Sequence, residues 1–202
     1  MPFAVGGGDR SGATSAGSIA GSVSVVARAF QRIAATIASK FEEVRGRIGR
    51  RSEARNERER PRDHLGRPQP WGAPNTLVLE DYDALPLAEN HRLGREHFNA
   101  GRFFQAHEAW ETAWKQTRNT ADAELFKGLS QLGAGYVHLL RGNAQGTIRL
   151  LRRAASHLSG YPEEHLGVDP PAVAAAAEAD ADRVERGELT PGERAAHRAP
   201  RV

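Results

Sequence analysis

The polar side chains that could perform chemistry are concentrated in one short run and one later stripe of the sequence. The run reads His107-Glu108-Ala109-Trp110-Glu111-Thr112-Ala113-Trp114. On a helix, His107, Glu111 and Trp114 share one face because they are spaced i, i+4 and i+7, and Glu108 lies beside that face. Residues of these types can form a hydrogen-bonded pair, bind a metal ion, or act as a general acid and base.

The later stripe consists of Gln131, Gly135 and His138 on the next predicted helix. If the two helices pack antiparallel, we expect Gly135 to permit a close approach that brings Gln131 and His138 toward the run. Lys127 on the same helix is expected either to meet an anionic ligand or to pair with Glu124. The candidate site residues are therefore His107, Glu108, Trp110, Glu111, Trp114, Lys127, Gln131 and His138.

Three hypotheses compete for this cluster. In the first, His107 and Glu111 form a hydrogen-bonded pair that fixes the helix register, since buried polar groups need partners. In the second, histidines and carboxylates hold Zn, Mn or Fe, the candidate ligands being His107, Glu111 and His138. In the third, Glu108 or Glu111 is a base tuned by burial and His138 is an acid beside a pocket. Spacing alone assigns no catalytic residue, and the sequence requires no cofactor, although a divalent metal is compatible with it.

The composition limits the chemistry that these residues can perform. The chain has 202 residues and no cysteine, which excludes disulfides, thiolate catalysis and thiolate zinc sites. Its 28 Lys and Arg are nearly balanced by 25 Asp and Glu, so nucleic-acid binding is not indicated. No segment approaches the roughly 20 consecutive apolar residues of a membrane-spanning helix, and the N-terminus does not resemble a secretory signal. We therefore expect a cytoplasmic protein, whose partner would be another protein or a second copy of the chain.

The elements that must position the cluster are all predicted to be helices. Apolar spacing and Gly or Asn stops predict one helix that ends near Asn99 and four more over residues 102–116, 121–140, 144–158 and 171–186. No segment alternates with period two, so no sheet is expected. The motif around Leu93-Gly94 is echoed at Leu132-Gly133, which indicates two helical hairpins. We predict a compact all-α bundle of four to five helices with tetratricopeptide-like packing.

Composition also divides the chain into regions. The N-terminal segment is rich in Gly, Ser and Ala, and a basic amphipathic helix follows it, which could lie on an anionic membrane surface but more commonly packs on protein. In the Pro-rich arm beyond that helix, Trp71 is expected to staple the arm to the domain. The predicted regions are a disordered segment 1–22, an amphipathic helix 23–48, a charged and Pro-rich linker arm 49–79, a helical domain 80–186 and a disordered tail 187–202.

Several motifs of the helical domain occur together. They are Phe98-Asn99-Ala100-Gly101-Arg102-Phe103-Phe104-Gln105-Ala106-His107-Glu108, then Trp110-Glu111 and Trp114, Phe126-Lys127-Gly128-Leu129-Ser130-Gln131, Tyr136-Val137-His138, Arg141-Gly142-Asn143 and Leu150-Leu151. In this combination the chain resembles a bacterial family known as domain of unknown function 309, and its linker resembles the actinobacterial branch. Ser130 stands where this family usually carries a branched apolar residue. The resemblance implies a compact helical fold and no established activity, so it leaves open whether the protein is an enzyme.

The residues and the resemblance together lead to one functional expectation and one alternative. We predict a small helical domain that serves as a ligand-binding, regulatory or structural module through its polar His/Glu/Trp cluster. The alternative is a metal-dependent or acid–base hydrolase that uses His107, Glu108, Glu111 and His138.

Overall fold

The regular secondary structure of the described residues is entirely helical. The computed structural model describes Ser39, residues 60–192 and residues 199–202, and the predictions for the disordered segment 1–22 and the amphipathic helix 23–48 lie outside them, Ser39 apart. The helices are α1 Leu87–Asn99, α2 Phe103–Thr117, α3 Ala123–Leu140, α4 Ala144–Leu158 and α5 Pro170–Glu185, preceded by a 3₁₀ turn Tyr82–Ala84. Within the described residues there is no strand, which confirms the all-α fold class, and none of these helices is long and apolar enough to cross a bilayer.

The helices begin and end at the signals that the sequence contains. The Asn143 side chain accepts a hydrogen bond from the Gly146 N–H at the start of α4, and the Asp169 side chain caps α5 in the same way. Gly101 after α1 has φ +76°, a left-handed conformation that residues with a Cβ rarely adopt. Because capping and hydrophobic periodicity are local effects, the predicted boundaries agree with the observed ones within about two residues.

Each helix packs mainly against its neighbours in the chain. The pairs α1–α2 and α3–α4 form the two predicted hairpins, α2 packs on α3 between them, and α5 covers α4. Aromatic rings fill the centre, where Phe98 lies 5.7 Å from Trp110 and 5.5 Å from Tyr136 between ring centroids. The hydroxyl of Tyr136 donates to the buried Asp180 carboxylate at 2.9 Å and so ties α3 to α5. The core therefore holds the face of α2 that carries Trp110 and Ala113, away from Glu108 and Glu111.

Gly133, and not Gly135, lets α2 and α3 approach closely. A Cβ on Gly133 would lie 3.0 Å from the His107 backbone nitrogen and 3.1 Å from the Phe103 carbonyl oxygen. A Cβ on Gly135 would instead lie 2.6 Å from Leu151 Cδ2 on α4. The prediction for Gly135 was therefore wrong, because residues two apart are separated by about 200° around a helix and face different neighbours.

The arm before the helices contacts the domain through leucines and not through its tryptophan. Leu65 and Leu77 are 5% and 2% exposed, whereas Trp71 is 72% exposed. Arg141 Nε donates to the Leu65 carbonyl oxygen at 3.0 Å, and the Phe104 ring packs directly on Gly66. The staple prediction for Trp71 was wrong because this residue stands in a turn and its side chain is exposed to solvent.

The described parts of the tail also contact the domain. Leu189 and Val202 are buried, and the Gly192 N–H donates to the Leu139 carbonyl oxygen at 2.8 Å. The Asn99 side chain pairs with the backbone of Val202, donating to its carbonyl oxygen at 2.7 Å and accepting from its N–H at 3.0 Å. These contacts come from single apolar side chains and backbone groups, which produce no period in the sequence, and the disordered tail 187–202 stays a prediction.

Candidate functional site

Three of the predicted residues come together on the exposed side of α2. One donor atom from each of His107, Glu108 and Glu111 lies within 4.8 Å of the other two. His107 Nε2 is 3.5 Å from Glu111 Oε2, and the two side chains are 25% and 33% exposed. The group is therefore held by the helix and remains accessible from solvent.

The second ring nitrogen of His107 is held by α3. Nδ1 lies 3.0 Å from the Ser130 carbonyl oxygen and 3.0 Å from the Ser130 hydroxyl. Because a carbonyl oxygen can only accept, Nδ1 carries the hydrogen and donates it, which leaves the Nε2 lone pair of a neutral ring facing Glu111. A lone pair beside a carboxylate is unfavourable unless a proton or a metal cation lies between them. Either a proton on Nε2 or a cation between the two atoms would satisfy this arrangement.

Glu111 is kept ionised by its neighbours. Partial burial alone would raise the pKa of Glu111, but the hydrogen bond from Lys115 and electrostatic interactions with His107 and Lys115 outweigh it and hold the pKa below its usual value. Lys115 Nζ lies 2.8 Å from Glu111 Oε1, so the two carboxylate oxygens have different neighbours. Oε1 is bonded to the lysine, and Oε2 faces the histidine.

A second polar network, which the sequence did not indicate, flanks Glu108. Burial raises the pKa of Tyr82 well above its usual range, and the carboxylates of Glu80 and Glu108 raise it further, so its hydroxyl stays protonated and donates to Glu80 at 2.6 Å. His97 Nε2 lies 3.3 Å from the other Glu80 oxygen. Burial opposes ionisation of Glu80, but the contacts with His97 and Tyr82 lower its pKa to about 2. Glu80 lies before the first helix, where no periodic pattern could reveal it.

The two tryptophans of the run do not line a pocket with the polar group. Trp110 is fully buried, and its Nε1 donates to His91 Nδ1 at 3.3 Å, so it belongs to the core between α1 and α2. Trp114 is half-buried, and the Arg118 guanidinium lies 5.2 Å from its ring centroid. Both rings therefore support the helix that carries the polar group.

The candidates on α3 have contacts of their own. Lys127 Nζ is 3.6 Å from Glu124 Oε1, as the pairing alternative expected. Gln131 Oε1 is buried, and no donor in the described part of the chain reaches it. His138 Nδ1 accepts from the Asn143 side chain at 2.9 Å, and burial together with Arg141 lowers its pKa.

The register of the two helices explains the position of His138. Gly133 lies against the first turns of α2, and His138 is five residues further along α3, about 7.5 Å beyond this contact. It is therefore past the start of α2, at the corner where α3 turns into α4, and outside the group of three.

Ser130 is the site residue that sequence reasoning missed. It was noted only as a departure from a family pattern, yet it provides both oxygen atoms that contact His107 Nδ1. Its signal in the sequence was a small polar residue between Leu129 and Leu132, two core positions.

An open depression elsewhere, on α1, is lined by Arg92, Arg95, Glu96, Asn99 and Ala100 and by none of the candidate residues.

The comparisons with known proteins bear on this same segment. Residues 91–150 match the model of a protein family described as "Domain of unknown function (DUF309)". The matched segment contains all of α2 and α3, and with them every candidate residue and Ser130. Neither the curated proteins nor the solved structures gave a match. The match confirms the family resemblance and brings no activity with it.

Proposed function

Residues 91–150 match the DUF309 family model, and we propose that the helical domain containing them is a ligand-binding module whose ligand is a divalent metal ion. His107 Nε2 and the carboxylates of Glu108 and Glu111 bind the ion. The observation that carries the proposal is the orientation of His107, whose Nδ1 is bonded to Ser130 while its Nε2 faces Glu111. Metal-binding histidines commonly have this arrangement, in which the other ring nitrogen donates to a backbone carbonyl or a carboxylate.

The donor set favours an ion that accepts nitrogen and oxygen ligands. Metal–ligand distances of about 2.1 Å place neighbouring donor atoms roughly 3 to 4 Å apart. The separation of 3.5 Å between His107 Nε2 and Glu111 Oε2 already lies in that range. One histidine and two carboxylates suit Zn²⁺, Mn²⁺ or Fe²⁺, and three protein ligands leave further positions for water or a bound molecule.

A purely structural ion pair is the competing explanation of the same contacts. Protonated His107 beside Glu111, with Lys115 on the other carboxylate oxygen, would also satisfy the charges. A donor atom of Glu108 lies within 4.8 Å of donor atoms of both partners, and the proposed metal site uses it as the third ligand.

The alternative of an acid–base hydrolase has less support from the contacts. It needs His138 as an acid opposite the base, and His138 is bonded to Asn143 at the far end of α3. Ser130 touches His107 but is only 5% exposed, so its hydroxyl does not reach a substrate. We therefore propose binding of a cation without assigning a reaction.

Elemental analysis and calorimetric titration of the full chain, purified without a histidine tag, test the proposal. We expect Zn²⁺ or Mn²⁺ to bind at one ion per chain, and Glu111→Gln and His107→Gln each to weaken binding by tenfold or more. His157→Gln is the matched control, because His157 Nδ1 contacts Glu124 at 2.6 Å in a pair outside the three-residue group. Absence of binding, or binding that survives the double variant H107Q/E111Q, would refute the proposed function.

A further inference from the structure

Ser130 makes an unusual contact for a serine inside a helix. A serine in the middle of a helix commonly bonds to the carbonyl four residues earlier in its own helix. The Ser130 hydroxyl instead crosses to α2, where it lies 3.0 Å from His107 Nδ1 and 3.5 Å from the His107 carbonyl oxygen. We propose that Ser130 is a positioning residue that fixes the tautomer and orientation of His107, an inference that rests on the proposed metal site.

The hydrogen-bonding roles around Ser130 have only one consistent direction. Its carbonyl oxygen accepts, so the hydrogen of His107 Nδ1 points toward Ser130. The hydroxyl oxygen at the same distance is then a second acceptor for that hydrogen, and the hydroxyl hydrogen is left to donate to the His107 carbonyl oxygen. Ser130 thereby holds the ring by two atoms, with Nε2 directed at Glu111.

The contact between Ser130 and α2 depends on the small size of Gly133. Gly133, one helical turn later, lets the backbones of α2 and α3 approach closely, since a Cβ on it would lie 3.0 Å from the His107 nitrogen. Ser130 is 5% exposed, so water does not compete with its hydroxyl for the histidine. A branched apolar side chain at this position would keep the backbone carbonyl contact and lose the hydroxyl.

Comparing Ser130→Thr with Ser130→Val separates the effect of the hydroxyl from the effect of side-chain shape. The two replacements are nearly identical in volume, and only threonine keeps the hydroxyl. Ser130→Ala adds no volume, so it removes the hydroxyl even if the two larger side chains disturb packing. All three are made in the full chain.

Nitrogen NMR of the imidazole rings without metal is the first measurement, with His107→Gln used to assign the His107 signals. We expect almost only the Nδ1–H tautomer in wild type and Ser130→Thr, and a smaller fraction of it in Ser130→Val and Ser130→Ala, where the backbone carbonyl of residue 130 still accepts from Nδ1 but the hydroxyl is gone. Zinc titration is the second measurement. We expect affinity to fall by about tenfold in the valine and alanine variants and to be restored in the threonine variant, since loss of a group that orients a ligand has effects of this size.

Different outcomes of the two measurements refute the role of Ser130 and the metal site. If the tautomer and the zinc affinity of Ser130→Val and Ser130→Ala equal those of Ser130→Thr, Ser130 is not a positioning residue, and the metal site stands. If no form of the chain binds zinc or manganese, the proposed function is wrong. The tautomer signals of the metal-free chain then decide by themselves whether Ser130 orients His107.

Discussion

Replacing Gly133 with alanine tests the link between helix packing and the candidate site. The added Cβ would lie 3.0 Å from the His107 nitrogen and 3.1 Å from the Phe103 carbonyl oxygen, whereas ordinary contacts are 3.4–4 Å. Both contacts are backbone atoms of α2, so no side chain can rotate away. The helices must separate by a few tenths of an ångström.

The expected loss of stability follows from two opposing effects. Overpacking of this kind costs about 1–3 kcal/mol, and alanine is favoured over glycine within a helix by about 1 kcal/mol. We therefore expect Gly133→Ala to lower the free energy of unfolding by about 1 kcal/mol. Because the separation also lengthens both bonds from His107 Nδ1 to Ser130, we expect zinc affinity to fall by about tenfold.

Urea unfolding and zinc titration measure the two effects. Gly160→Ala is the control, because a Cβ on Gly160 would meet nothing within 4 Å. We expect that variant to be as stable as wild type or slightly more stable, with unchanged zinc affinity. A Gly133→Ala variant that matches Gly160→Ala in both measurements would show that α2 and α3 do not approach as closely as the structure has them.

Three further predictions concern charged groups. The pKa of Glu80, about 2 instead of 4.5, makes it a stabilising group above about pH 4.5. Since its side chain is 39% exposed, we expect Glu80→Gln to cost only about 1 kcal/mol in urea unfolding at neutral pH, with the difference vanishing as the pH falls toward 2. Lys115→Met removes a cation 2.8 Å from Glu111 and should strengthen zinc binding several-fold; weaker binding would count against the site. Burial lowers the pKa of His91 below its usual 6.5, so stability should fall as the pH drops below that value, and less steeply in His91→Gln.

The sequence by itself determined the helices and the types of residue at the site. Asn143 caps α4, and the three ligand candidates His107, Glu108 and Glu111 are neighbours because one helix carries them all. These features depend on residues a few positions apart, whose relation is set by the geometry of a single helix. The family resemblance, which uses the same local motifs, was confirmed for the same reason.

Only the tertiary structure decided which residues of α3 contact His107 on α2. The relative register of α2 and α3 placed Ser130 and Gly133 against His107 and left His138 beyond the contact. A helix period specifies which residues share a face, but neither which face meets a given neighbour nor how far the two helices slide along each other. Those two choices come from close packing of many side chains at once, and they determined which nitrogen of His107 faces Glu111.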